Sequence, residues 1–104
     1  MIEQLNDDNL WLHLFTNQRV VVRLYSDYSA LCNAFEASYK SIAIENKKSI
    51  QFIDVDVSEN PNSVNAIGAY SLPFVGIYEE GELKEKFSTS NLSQLHTMIQ
   101  NQIT

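Results

Sequence analysis

The stretch RVVVRLYSDYSALCNAFEASYKSIAIENKK, residues 19–48, decides the fold. Its first part, residues 19–26, is almost wholly apolar and predicts a strand that is covered on both faces. Apolar residues then recur every three or four positions, which predicts a helix over about 29–46 with one buried stripe. The strand therefore leads through a short turn to a helix N-terminus with Cys32 in its first turn, and reactive cysteines often lie in such places.

The remaining segments predict a small α/β domain. Helical patterns predict a first helix over about 7–16, a short helix over about 62–69 and a last helix that begins at a cap at Thr89, Ser90 or Asn91. Alternating patterns predict a strand over about 50–57 and a β-hairpin formed by strands over about 74–78 and 82–87. The two strands joined through the long helix are expected to be parallel, with a right-handed crossover. The sequence thus predicts one domain, residues 1–104, with a central mixed sheet of about four strands and helices on both faces.

Composition excludes several classes of function. A net charge of −6 argues against binding to nucleic acid or to an anionic membrane surface. No apolar run is long enough to span a bilayer, and the acidic, polar start does not resemble a secretory signal. A single cysteine cannot form an intramolecular disulfide, so we expect a reducing compartment, by default the cytoplasm.

Several short segments, in order and at the right spacing, resemble the thioredoxin family over essentially the whole chain. VVVRLYSDYSALC is similar to the family's strand followed by its W-C-x-x-C motif, and VDVSENP at 55–61 to the stretch after its next strand. Ser71-Leu72-Pro73 stands where the family keeps a cis-proline. The resemblance implies a thioredoxin-like fold and, by similarity alone, a role in cell redox homeostasis.

The resemblance also implies the positions of a site. Tyr28 stands for the family's Trp, Ser29 for its nucleophilic Cys and Cys32 for its resolving Cys, while Ala30 and Leu31 replace the dipeptide between them.

On the second side of the implied groove, Pro73 corresponds to the cis-proline, so the Leu72–Pro73 bond is expected to be cis. Phe74 follows it where the family often has Thr, and Ser88 falls near a groove glycine.

The missing first cysteine removes dithiol chemistry. Thiol–disulfide exchange needs a thiolate as the attacking group and a second thiol to resolve the mixed disulfide. A serine hydroxyl is not ionised at neutral pH without a base, and no histidine lies in this stretch. We therefore expect no dithiol oxidoreductase activity.

A second departure concerns buried charge. The family often has a buried Asp beneath the resolving cysteine and a Lys on the neighbouring strand, and here those positions hold Arg23 and Asp54. Both interrupt apolar strands, and an unpaired buried charge is costly. We predict a structural ion pair between Arg23 and Asp54, rather than paired carboxylates at Asp54 and Asp56.

Two functions remain open. The first is a non-catalytic binding or adaptor module that holds a protein or peptide in a groove lined by Tyr25, Tyr28, Tyr70, Leu72, Pro73 and Phe74. The second is a monothiol redox protein, in which the helix N-terminus and Arg23 favour the thiolate of Cys32. Cys32 would then form mixed disulfides with glutathione or a partner, or an intermolecular disulfide between two copies of the chain. Alternatively, Cys32 is a core residue and Ser29 a helix cap. His13 and His96 are isolated, so neither a metal nor a cofactor is expected.

Overall fold

The computed structural model describes residues 2–88 and 92–103. Within them it contains five strands and four helices, in the order β1 (Ile2–Leu5), α1 (Leu10–Thr16), β2 (Arg19–Tyr25), α2 (Ala30–Glu45), β3 (Gln51–Asp56), α3 (Pro61–Ile67), β4 (Phe74–Glu79), β5 (Glu82–Ser88) and α4 (Leu92–Ile103). None of these helices is long and apolar enough to cross a membrane.

The sheet has the order β1-β3-β2-β4-β5. The three strands β1, β3 and β2 are parallel, and the hairpin β4–β5 is antiparallel to β2. The predicted mixed sheet between two helical layers is confirmed, but its strand number is corrected from about four to five. The missed strand is β1, whose Glu3 and Gln4 are exposed while Leu5 is buried, so it lacks the alternation of a covered strand.

Apolar clusters cover both faces of the sheet. One cluster joins α2 and α4 to the sheet, and includes Val21, Phe35, Tyr39, Phe52, Val75, Leu95 and Ile99. The other joins α1 and α3 to the opposite face, and includes Leu10, Leu14, Val22, Ile53, Val55 and Ile67. The successive residues of β2 and β3 contribute to both, as expected for strands that are buried on two sides.

The start of α1 is the second correction, because the helix begins at Leu10 and not near Asp7. The Asn6 side chain accepts hydrogen bonds from the backbone N–H groups of Asp8 and Asn9, which holds a turn before the helix. The Asp7 carboxylate instead accepts hydrogen bonds from the backbone N–H and hydroxyl of Ser63, in α3. It therefore anchors a distant helix.

The other boundaries agree with the sequence to within two residues. Helix α3 ends at Ile67 and is capped by Gly68, whose φ of 83° lies in the left-handed region that suits a glycine C-cap. Leu95 and Ile99 of α4 are buried, as their spacing predicts. The predicted caps of this helix, Thr89, Ser90 and Asn91, lie outside the described residues.

Candidate functional site

The end of β2, the start of β4 and the end of β3 meet at one edge of the sheet. Leu24 pairs with Phe74 in antiparallel register, so the residues after β2 and before β4 leave the sheet together. The backbone N–H of Val57 donates to the carbonyl of Tyr25 at 3.0 Å, which places the end of β3 beside them. The predicted motif and the predicted proline loop are therefore neighbours.

Ser29 caps α2, as the sequence predicts. Its Oγ accepts a hydrogen bond from the backbone N–H of Cys32 at 3.2 Å. The turn before it is held by the Ser29 N–H, which donates to the carbonyl of Ser26 at 3.1 Å, and by the Asn33 amide, which donates to the carbonyl of Asp27. The serine oxygen thus satisfies one of the free donors of the first helical turn.

Cys32 is a core residue in this structure. It is 1% exposed, although Ala30 and Leu31 before it are exposed. A reagent or a partner's sulfur in solution has no access to a side chain buried to this extent. The structure thus gives Cys32 the small apolar role that free cysteines often have.

The proline loop forms the second side of the site. The Leu72–Pro73 bond is cis, and the Ser88 hydroxyl donates to the carbonyl of Pro73 at 3.3 Å. Pro73 and Phe74, which the sequence placed in the groove lining, are both buried, and Phe74, at 0% exposed, is corrected to a supporting core residue. It is buried because it begins β4, and its ring packs edge-on against Tyr70 with centroids 5.1 Å apart.

Three exposed apolar side chains and one half-buried one lie at this edge, and we call these four the tyrosine surface: Tyr28, Leu31, Tyr70 and Leu72. Tyr28 is 96% exposed, Tyr70 is 77% exposed and Leu31 is 56% exposed, while Leu72 is half-buried. A cavity of about 210 Å³ lies beside them, lined by Val57, Val64, Ala69, Tyr70, Ser71 and Leu72. Large apolar groups exposed together on a rigid framework are typical of a binding surface.

Carboxylates lie near the tyrosine surface. Burial raises the pKa of the Tyr25 hydroxyl, and the charges of Asp56, Asp54 and Asp27 raise it further. Asp27 precedes Tyr28, and Asp56 pairs with Tyr25 in the sheet register. The Asp56 carboxylate accepts hydrogen bonds from the backbone and hydroxyl of Ser58, so it is held in place.

The predicted contact between Arg23 and Asp54 is present. Arg23 Nε and Nη2 donate to Asp54 Oδ1 and Oδ2, both at 2.8 Å, which is the bidentate geometry of the strongest ion pairs. The two side chains are 2% and 10% exposed. The guanidinium carbon also lies 4.7 Å and 5.0 Å from the ring centroids of Tyr25 and Tyr39, so the cation lies between two aromatic faces.

Burial and pairing act in opposite directions on these two charges. Burial alone would lower the pKa of Arg23, but the hydrogen bond and charge of Asp54 raise it. Burial raises the pKa of Asp54, and the hydrogen bonds from Arg23 offset this only in part. Glu36 of α2 lies 3.9 Å from Arg23 Nη2. Among the described residues, no hydrogen bond joins Arg23 to Cys32.

The two histidines lie apart. His13 Nδ1 lies 3.1 Å from the Gln51 amide nitrogen, and His96 is exposed on α4. Within residues 2–88 and 92–103, no group of three or more His, Cys, Asp and Glu side chains is arranged to hold a metal ion.

The architecture and this edge define the class of protein. It is a thioredoxin-fold domain with one thiol, which is buried in the first turn of α2. Residues 1–101 match the family model described as Thioredoxin. The chain therefore belongs to the thioredoxin family.

Solved structures show the same fold. Thioredoxin f from spinach chloroplast, in its short form, is 20% identical with a TM-score of 0.92, over 99% of this chain and 94% of that chain. Plasmodium falciparum thioredoxin is 20% identical with a TM-score of 0.90, over 95% and 97%. A chain in the complex of ferredoxin:thioredoxin reductase and thioredoxin f2 is 15% identical with a TM-score of 0.92, over 99% and 96%.

Proposed function

We propose that this chain is a non-dithiol binding module of the thioredoxin family, which holds a protein or peptide on the tyrosine surface. One contrast carries the proposal: Tyr28 is 96% exposed, whereas Cys32, four residues later, is 1% exposed. This edge of the domain presents aromatic and aliphatic groups to a partner and withholds the thiol.

The chemistry of the motif supports binding without exchange. Ser29 occupies the position of the attacking thiol, and its oxygen is engaged by the backbone N–H of Cys32. With one cysteine, the chain cannot pass between a dithiol and an internal disulfide. The proline loop beside the motif is held by contacts that include the hydrogen bond from the Ser88 hydroxyl to the Pro73 carbonyl.

The charges near the surface favour one kind of ligand. Asp27 and Asp56 lie close to Tyr25, and the chain carries a net charge of −6. We propose an extended apolar segment flanked by Lys or Arg, because aromatic side chains supply most of the energy at such interfaces and rim charges select the partner. The complex of a similar fold with ferredoxin:thioredoxin reductase is consistent with a protein as partner.

The test is selection of a ligand followed by mutation of the surface. A phage-displayed library of random peptides is selected on the folded protein, and the best peptide is labelled with fluorescein. Its Kd is then measured by anisotropy for Tyr28→Ala, Leu31→Ala and Tyr70→Ala. We expect each tyrosine substitution to weaken binding about tenfold or more, since buried aromatic anchors dominate such interfaces.

The chain supplies matched controls. Phe15 on α1 is 73% exposed, and Ile44, at the other end of α2 from Leu31, is 64% exposed. Phe15→Ala and Ile44→Ala should leave the Kd unchanged. If the selected peptides lose affinity equally in these controls, or if none binds through Tyr28 and Tyr70, the proposed site is wrong.

The alternative, monothiol exchange through Cys32, requires the first turn of α2 to open because the thiol is buried. Cys32→Ala separates the two functions: it should keep peptide binding if the chain is a binding module. The single buried thiol suits a reducing compartment, and we propose the cytoplasm as its location.

A further inference from the structure

A second cavity lies at the opposite edge of the sheet. It is formed where β2 and β3 begin, whereas the tyrosine surface lies where these two parallel strands end. Its volume is about 370 Å³, and it is lined by residues 17–19 before and at the start of β2 and by residues 47–51 before and at the start of β3. The proposed peptide site therefore does not include it.

Two buried polar atoms of the described residues lack a hydrogen-bond partner, and both belong to residues that line this cavity. They are Arg19 Nε, a donor, and Gln51 Oε1, an acceptor. Native proteins satisfy nearly all buried polar groups, so this donor and this acceptor suit a ligand that can both accept and donate a hydrogen bond. The Gln51 Nε2 lies 3.1 Å from His13 Nδ1, which leaves Oε1 as the free end of the amide.

The lining is also cationic in an acidic protein. It contains Arg19, Lys47 and Lys48, three of the seven basic residues of the chain. Glu79 lies 3.6 Å from Arg19 Nε, too far for a hydrogen bond, and neither lysine forms an ion pair with another described residue. The cavity thus combines an excess of positive charge with one free donor and one free acceptor.

We propose that this cavity binds a phosphate group. The Arg19 guanidinium and the two lysine ammonium groups would donate to the phosphate oxygens, which match an arginine in charge and geometry. Gln51 Oε1 would accept the hydrogen bond of a ligand hydroxyl: the P–OH of inorganic hydrogen phosphate, or a hydroxyl of a small phosphate monoester. Both unsatisfied atoms are then paired by one ligand.

The binding test compares three anions at constant ionic strength and pH 7. Inorganic phosphate, glycerol phosphate and sulfate are titrated into ¹⁵N-labelled protein, and amide shifts are followed by NMR. We expect saturable shifts at residues 17–19 and 47–51 with both phosphates. Sulfate carries no proton for Gln51 Oε1 and should bind about tenfold more weakly than inorganic phosphate. Stronger saturation by glycerol phosphate than by inorganic phosphate would identify a monoester as the ligand.

Substitutions then test each group. R19K keeps the charge but removes the free Nε–H, and should weaken phosphate binding about tenfold. Q51M removes the acceptor and should abolish the preference for phosphate over sulfate. E79Q, which removes the neighbouring carboxylate, should strengthen binding.

A matched pair controls for net charge. K47Q/K48Q and K84Q/K86Q remove the same charge, but only the first pair lines the cavity, so only the first should weaken binding. If no anion gives saturable shifts, or if K84Q/K86Q has the same effect, the cavity holds solvent and the proposal is wrong. Denaturation curves of each variant exclude loss of folding as the cause, and peptide binding at the tyrosine surface should stay unchanged.

Discussion

Arg23→Met is expected to be among the most damaging single substitutions in this domain. It leaves the carboxylate of Asp54, 10% exposed, without the two 2.8 Å hydrogen bonds that pair it, and it removes the cation between Tyr25 and Tyr39. Removing one partner of a buried ion pair costs about 3–5 kcal/mol, and loss of the aromatic contacts adds about 0.5–2 kcal/mol. We expect the free energy of unfolding to fall by about 4 kcal/mol.

Urea denaturation followed by the fluorescence of Trp11, the one tryptophan, measures this effect. With a slope of about 2 kcal/mol per molar urea, a loss of about 4 kcal/mol lowers the midpoint by about 2 M. The double substitution Arg23→Met with Asp54→Leu removes both charges, and should restore the midpoint to near that of the wild type because no unpaired charge remains.

The control is an ion pair of similar length on the surface. Lys84 Nζ lies 2.9 Å from Glu82 Oε2 in exposed strand β5, and Lys84→Met should leave the midpoint unchanged. The ion pair does not stabilise the fold as we argue if Arg23→Met costs less than about 1 kcal/mol. The same holds if the double variant loses as much stability as Arg23→Met and Asp54→Leu lose in sum.

Three further substitutions test single contacts. Tyr39→Phe removes the hydroxyl that donates to the carbonyls of Val21 and Ile53, and should lower the free energy of unfolding by about 1 kcal/mol at pH 7. Burial raises the pKa of Tyr39 well above its ordinary value of 10.0, so the unfolded chain loses this proton first. The stability advantage of the wild type should therefore shrink as the pH rises above 10. Asp7→Asn should lower the urea midpoint at pH 7. Partial burial opposes ionisation of the Asp7 carboxyl, but the hydrogen bonds from Ser63 lower its pKa. The difference in midpoint between the wild type and the variant should therefore vanish as the pH falls below 3.8. Glu80→Asn should stabilise the hairpin by about 0.5 kcal/mol, since Glu80 has a φ of 53° and precedes Gly81 in a two-residue turn that favours Asn-Gly.

The outcomes that contradict these predictions are distinct. A Tyr39→Phe difference that is constant from pH 7 to above pH 10 would mean that the hydroxyl titrates alike in the folded and unfolded states. An Asp7→Asn difference that persists in acid would place its effect outside the carboxylate's hydrogen bonds. Thermal unfolding serves for Glu80→Asn, where an unchanged or lower Tm would contradict the turn argument.

The central layer of the fold and the buried ion pair could be predicted because each leaves a local signal. Apolar runs marked β2 and β3, and Arg23 and Asp54 stood out because charged residues interrupted strands that had to be covered. An unpaired charge cannot be buried cheaply, so the partner could be inferred from the same rule. The cap at Ser29 followed from residue type and position alone.

The features that the sequence did not reveal depend on contacts between distant segments. Strand β1 is fixed by backbone pairing with β3, which its side chains do not encode. The sequence predicts a helix start near Asp7, but the Asp7 carboxylate accepts hydrogen bonds from Ser63, 56 residues away. The proposed phosphate cavity is lined by two segments that are far apart in the chain, residues 17–19 and 47–51. No local pattern therefore indicates that Arg19 lies near Lys47 and Lys48.

The two departures from the thioredoxin motif act in the same direction. Ser29 supplies a hydroxyl in place of the attacking thiol that the family uses. Arg23 replaces the carboxylate that the family often has beneath the resolving cysteine, and a guanidinium has no acceptor for a proton. Asp54 pairs with Arg23 in the register of the adjacent strand, and both its oxygens accept hydrogen bonds from Arg23. Both replacements are consistent with the proposal that Tyr28 and the loop at Pro73 bind a partner without dithiol exchange.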